Sequence, residues 1–227
     1  MKMKIEELKK EVERLVSQAV EAQREGKPGR GLRLLREAED KLDSQAKSKT
    51  SSLLGLIRHY QGRIYQSMGD YPSAIIPLRT AVALRKGNPV DYAYSKFQFF
   101  ICKDYGGFMI TPREVIETKA ALWGLIDASK NPRELGDAFQ NLAYIESRKG
   151  DIRKAVWLYQ AAETFRGIAR DERGFALTWA RLGECYLKIG EQEKAEEYGR
   201  KALEYFKKSG DIERIKQVRE KVFLNKI

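Results

Sequence analysis

The chain has 227 residues, of which 42% are hydrophobic and 33% charged, and it carries a net charge of +11 at pH 7. That apolar share excludes a disordered chain, and no uncharged apolar run approaches the ~18 residues that span a bilayer. A single histidine, His59, excludes a metal site built from several imidazoles, and neither a GxxxxGK[ST] nor a GxGxxG phosphate loop is present.

The start, Met1-Lys2-Met3-Lys4-Ile5-Glu6-Glu7, passes directly into mixed charge, so the sequence predicts a soluble, cytoplasmic chain with no leader and no membrane contact. The positive excess is spread out, +3 over residues 1–50, +4 over 51–130 and +4 over 131–227, so any basic patch must be assembled by folding. Cys102 and Cys185 form no CxxC pair and sit among apolar neighbours, which predicts buried core residues.

Taken in order, the first unit covers residues 5–48 and turns at Gly26. The second, 50–88, turns at Gly69-Asp70. The third, 90–130, predicts a helix over 92–103, a break at 104–110, and a second helix opened by Thr111, Pro112 and Glu114 as N-cap, first turn and capping-box partner. Asn131-Pro132-Arg133-Glu134 repeats that start signal for the fourth unit, 131–169, which turns at Gly150-Asp151. The fifth, 171–209, turns at Gly190-Glu191. Glycine tolerates the left-handed end of a helix, and the acid after it accepts N–H bonds at the next start. A last helix, 211–226, carries the apolar stripe Ile212, Ile215, Val218, Val222 and Phe223 and is expected to cap the array. The total is about eleven helices in one domain.

Small residues recur at fixed distances from these turns. Seven residues before each turning glycine stand Ala19, Gly62, Ala143 and Gly183; five after stand Gly31, Ala74, Ala155 and Ala195; twelve after stand Ala38, Ala81, Ala162 and Ala202. Antiparallel helices approach closely only where such residues sit at the crossing. Trp179, Leu182-Gly183, Tyr186, Ala195 and Ala202 together resemble the tetratricopeptide repeat, with Gly199 in place of the usual aromatic and Lys207 where proline is common. The glycine spacings, 43, 81 and 40 residues, exceed the usual repeat of about 34 and resemble its longer variant of about 40, found in peptide-sensing regulators and motor or polarity adaptors. The resemblance implies an all-α, right-handed α-solenoid of about five helix–turn–helix repeats plus the C-terminal capping helix.

It further implies that residues three before, two before and one after the first small position face inward. These are His59, Tyr60 and Arg63 in the second unit, Gln140, Asn141 and Tyr144 in the fourth, and Ala180, Arg181 and Glu184 in the fifth. With Cys102 at the small position, the third unit adds Phe99, Phe100 and Lys103, with Lys96 on a nearby face; the first adds Val16, Ser17 and Val20. The candidate surface is therefore His59, Tyr60, Arg63, Lys96, Phe99, Lys103, Gln140, Asn141, Tyr144 and Arg181. Amides can bond a peptide backbone, cations can hold carboxylates, and aromatics can anchor. The reading that follows is a non-enzymatic adaptor or scaffold without cofactor or metal, binding a protein or peptide with acidic groups. A nucleic-acid-binding regulator using the positive charge, and a homo-oligomeric scaffold, are the alternatives.

Overall fold

The computed structural model describes residues 5–42 and 47–224; the first four residues, the joint at 43–46 and the predicted end of the cap at 225–226 lie outside this range. Among the described residues the chain forms eleven α-helices and a closing π-turn. They are α1 (Ile5–Arg24), α2 (Pro28–Leu42), α3 (Lys47–Ser67), α4 (Tyr71–Leu84), α5 (Pro89–Tyr105), α6 (Pro112–Ala128), α7 (Pro132–Arg148), α8 (Ile152–Ala169), α9 (Glu172–Lys188), α10 (Gln192–Ser209) and α11 (Ile212–Val218), followed by the π-turn Arg219–Leu224. The fold is an all-α array of helical hairpins, divided into one compact unit through Ala121 and a second from Leu122. None of the described helices is long and apolar enough to cross a membrane.

Within the first unit α1 packs on α2, α3 on α4, and each hairpin on the next helix; in the second, α7 pairs with α8 and α9 with α10. The close approaches occur where the small residues stand. A Cβ added to Gly62 would lie 2.3 Å from Leu78 Cγ, and one added to Gly31 would lie 2.9 Å from the Ala19 carbonyl oxygen. Gly183 is 3.2 Å by the same measure from the Ala195 carbonyl oxygen. Leu78, Leu142 and Leu182 fill the interior around these crossings.

Two of the three predicted acid caps form, and Asp211 adds one that was not singled out: Asp70, Asp151 and Asp211 each accept the backbone N–H three residues on, at 3.1, 3.2 and 3.1 Å. Thr111 and Glu114 close a reciprocal box, the Glu114 N–H donating to Thr111 Oγ1 (3.2 Å) and the Thr111 N–H to Glu114 Oε2 (2.8 Å). Glu191 is the exception: its side chain makes no cap bond and instead meets Lys194 at 3.2 Å. The terminal stripe is also shifted. Ile212, at the start of α11, is 80% exposed, while Val218 and Val222 are buried, and the π-turn sets Val222 and Phe223 against Gly183 and Gly199.

The third hairpin has a different register from the one expected with Cys102 at the small position. Gly107, at φ +70°, ends α5 as Gly69 ends α3. The N–H of the residue after each glycine closes onto a carbonyl five residues back, Asp70 onto Tyr65 and Phe108 onto Lys103. Counted from Gly107, the buried positions agree in every later hairpin: Ile57, Ser95, Ala138 and Thr178 at twelve before; Gly62, Phe100, Ala143 and Gly183 at seven before; Ile64, Cys102, Ile145 and Cys185 at five before. Phe100 therefore takes the crossing, and the two cysteines are equivalents, both buried as expected.

Two buried arginines had no sequence signal. Arg85 and Arg166 each lie sixteen residues after a turning glycine, 8% and 3% exposed. Arg85 donates to Ser95 Oγ (2.9 Å) and to Asp91; Arg166 donates to Asp137 on α7 and to Asp171, the N-cap of α9. Each thus ties a hairpin to the helix that follows. Glycines make the room: a Cβ on Gly55 would lie 2.7 Å from Arg85 Cγ, and one on Gly136 would lie 3.2 Å from Arg166 Cδ.

The crossings and the open helix surfaces respond oppositely to added bulk. Gly62→Val forces overpacking against buried Leu78 and lowers stability by about 1–3 kcal/mol. Gly124→Ala, inside α6 with nothing within 4 Å of its added Cβ, raises stability by up to about 1 kcal/mol. Urea denaturation of the two variants reads both signs.

Candidate functional site

Counted from the turning glycines, the inward positions of the second, fourth and fifth hairpins are Tyr60 and Arg63, Gln140, Asn141 and Tyr144, and Ala180, Arg181 and Glu184, all of them half-buried. In the first unit the Arg63 guanidinium lies over the Tyr60 ring, 5.5 Å from its centroid, and meets no carboxylate within ion-pair distance among the described residues. In the second unit Arg181 Nη1 is 3.0 Å from Glu184 Oε2, and Gln140 Oε1 is 3.0 Å from the Thr178 hydroxyl.

Four expected members of the surface are elsewhere. His59 is 5% exposed. Its Nδ1 lies 3.1 Å from Ser95 Oγ, which also accepts from Arg85. Burial, with Arg85 and Arg63 nearby, depresses the imidazole pKa well below its ordinary value. His59 is a neutral interior group, not a groove cation. Lys96 is 8% exposed and held at 2.7 Å by Glu117 of α6, whose carboxyl the bonds from Lys96 and Arg113 lower to about 2. Lys103 is held at 2.6 Å by Glu114. Phe99 packs on the cluster of Ala74, Leu78 and Cys102. The shift of register at Gly107 explains Phe99 and Lys103: counted from Phe100, the positions expected inward in α5 become Phe97, Gln98 and Ile101, and Phe97 is itself buried. In α1, Val16 is likewise buried.

Each unit holds a concavity among its helices. In the second unit a groove of about 150 Å³ is lined by Gln140, Arg181, Glu184, Arg214 and Gln217, with Leu177, Ala180, Phe206 and Val218 as its apolar lining. Three of its polar residues, Gln140, Arg181 and Glu184, were expected on the inward face. Arg214 and Gln217 come from α11, which reads in the sequence only as a cover; their spacing of three, opposite the apolar stripe, was the available signal. In the first unit a polar groove of about 410 Å³ lies among α2, α3 and α4, with Arg36, Gln61, Tyr65 and Pro77 in its wall.

Residues 176–209, spanning most of the fifth hairpin, match the tetratricopeptide repeat family. This segment is a tetratricopeptide repeat. The whole chain shares the fold of solved tetratricopeptide-repeat structures. It is similar, at 19% identity, TM-score 0.64 and 94% of its own length, to a STAND signal-transduction ATPase with a tetratricopeptide-repeat sensor from Pyrococcus horikoshii, of which it spans only 32%. It is also similar to a kinesin light chain protein of nearly identical tetratricopeptide-like repeats from Podospora anserina (18% identity, TM-score 0.59, covering 87% of this chain and 96% of that one). BtubC from P. vanneervenii gives 16% identity and TM-score 0.57 over 95% of this chain and 89% of its own. At these identities the likeness is one of fold. No curated protein sequence matches the chain.

Cys102 and Cys185 are held as neutral thiols, burial pushing each up to about 11. Among the described residues no group of three or more His, Cys, Asp or Glu is arranged to hold a metal ion.

The imidazole gives the repeat interior a pH dependence with a definite sign. Because the folded state lowers the His59 pKa, the unfolded chain takes up the proton first, and stability falls as pH drops below the unfolded value of about 6.5. His59 is the only histidine in the chain. Thermal melts at pH 7 and pH 5.5 are expected to show a fall in Tm for the native chain. The fall is smaller for His59→Gln, which copies the Gln140–Thr178 pairing.

Proposed function

We propose that the chain is a non-enzymatic module that binds a protein or peptide through the inward helix faces of its hairpins. The observation that carries this reading is that Gln140 and Arg181, placed inward by the repeat spacing alone, line one groove. The first unit adds an aromatic–cation pair, Tyr60 and Arg63, whose cation meets no carboxylate among the described residues. Amides, a guanidinium and a rigid aromatic are the side chains that hold an extended partner at low entropic cost. The groups that would serve as nucleophile or base are the buried thiols and the enclosed imidazole, each held neutral, which favours recognition over catalysis. The repeat acts as a sensor in the P. horikoshii protein by that protein's description, a role of the same kind.

The positive charge alone favours nucleic acid as the alternative, but three of the cations expected inward are paired with Glu114, Glu117 and Glu184. Affinity capture from the native lysate, with and without nuclease and read by mass spectrometry, separates the two. A protein partner that resists nuclease and is lost from the Arg63→Ala/Asn141→Ala double variant is the expected outcome, with an unchanged melting curve as the folding control. Retention of that partner at wild-type level by the double variant refutes the inward-face assignment. Partners that vanish with nuclease favour the alternative.

A further inference from the structure

We infer that the groove between α9 and the capping helix α11 is a subsite for a glutamate side chain of an extended acidic peptide. The inference rests on the proposed function and names the chemistry of its partner.

Two guanidiniums, Arg181 and Arg214, line the groove against a single carboxylate, Glu184. That carboxylate is already engaged from two sides, by Arg181 at 3.0 Å and by Lys221 of the π-turn at 3.6 Å. Arg214 is different. Its Nη1 donates to Gln217 Oε1 at 3.1 Å, and Gln217 Nε2 in turn donates to Glu213 Oε1 at 3.1 Å. Arg214 meets no carboxylate within ion-pair distance among the described residues. A chain of two hydrogen bonds therefore orients a half-buried guanidinium while leaving its charge unmatched. The local excess is positive, and the group that answers it is an anion able to accept bonds from a planar fork.

The apolar lining selects among anions. Leu177 and Ala180, both half-buried, offer surface to methylene groups, and about 150 Å³ is room for one side chain. Glutamate brings a two-carbon stem to the apolar wall and a carboxylate to Arg214. The floor of the groove is rigid, since Phe206 and Val218 are 1% and 3% exposed. The capping helix thus completes a recognition surface that α7 and α9 only begin.

The probe is a short fluorescein-labelled peptide of alternating glutamate and leucine, amidated at its C-terminus, followed by fluorescence anisotropy at constant ionic strength. Arg214→Gln, which keeps the shape and removes the charge, is expected to weaken binding about tenfold. Glu184→Gln, which removes the competing carboxylate, is expected to tighten it. Arg133→Gln, a change at an exposed residue at the start of α7, leaves affinity within about twofold. Replacing glutamate by glutamine in the peptide is expected to abolish binding. The inference is overturned if Arg214→Gln and Glu184→Gln both bind as the native chain does, or if Arg133→Gln loses as much as Arg214→Gln. It is also overturned if only a peptide with a free C-terminal carboxylate binds. A lysate partner lost from the Arg63→Ala/Asn141→Ala variant but indifferent to Arg214→Gln overturns this subsite and leaves the proposed function standing.

Discussion

Everything in this fold depends on how closely two antiparallel helices can approach at one crossing per hairpin. Where Gly62 faces Leu78, or Gly183 faces the Ala195 carbonyl, no room exists for a side chain. A close-packed interior transmits that constraint along the helix. Once the crossing is set, the residues two before and one after it in the second, fourth and fifth hairpins are left half-buried, while the residue three before it is buried in the first three, as Val16, His59 and Phe97. The third hairpin shows the constraint by exception: Phe100 occupies the crossing in α5, and its helices are joined through charged pairs, Lys96 with Glu117 and Lys103 with Glu114.

The same geometry sorts the charge. A formal +11 suggests a broadly cationic molecule, yet several cations serve the interior or its edge. Arg85 and Arg166 are buried at the same place in their hairpins, each beside a glycine that admits its stem, and each reaching to the start of the next helix. Burial alone would lower the Arg85 pKa, and Asp91 and Tyr60 work against that. Removing the carboxylates would leave an uncompensated interior charge, the costly case for a buried pair. Among the described residues Arg63, in the first unit, and Arg214, in the second, meet no carboxylate within ion-pair distance. Net charge is therefore a poor guide to where unmatched positive charge lies.

Much of the fold was legible because its determinants are local. Turning glycines, N-cap acids and the Thr111–Glu114 box act over three to five residues, and the spacing of Gly and Ala carries the hairpin pairing directly. The misreadings arise where the deciding event is not local. Cys102 lies forty residues from Gly62 and looks like its counterpart, but Gly107 ends α5 early, and the extra residues fall in the loop before Thr111. That moved Phe99 and Lys103 off the inward face. His59 has the right spacing and still fails as a cation, because Ser95 and Arg85, both far along the chain, enclose it. Ile212 belongs to a good apolar stripe on paper, and the structure leaves it in solvent at the start of α11. Arg214 carried only the spacing signal it shares with Gln217, which does not say that a covering helix also lines a groove.

One inter-helix bond shows how the two units differ in use. His59 and Gln140 stand ten residues before their turning glycines, and Ser95 and Thr178 twelve before theirs, so the pairs are equivalent. In the first unit the serine hydroxyl is shared with buried Arg85, and the ring it holds is shut away from solvent. In the second, the arginine at the equivalent place, Arg166, turns to Asp137 and Asp171 instead, and the Gln140 amide stays half-buried at the rim of a groove. The first pairing spends its polar atoms on cohesion between helices. The second leaves amide capacity facing outward, beside a guanidinium without a counter-ion. A repeat fold can thus place the same hydrogen bond twice, shut inside the packing in one copy and at the rim of a groove in the other.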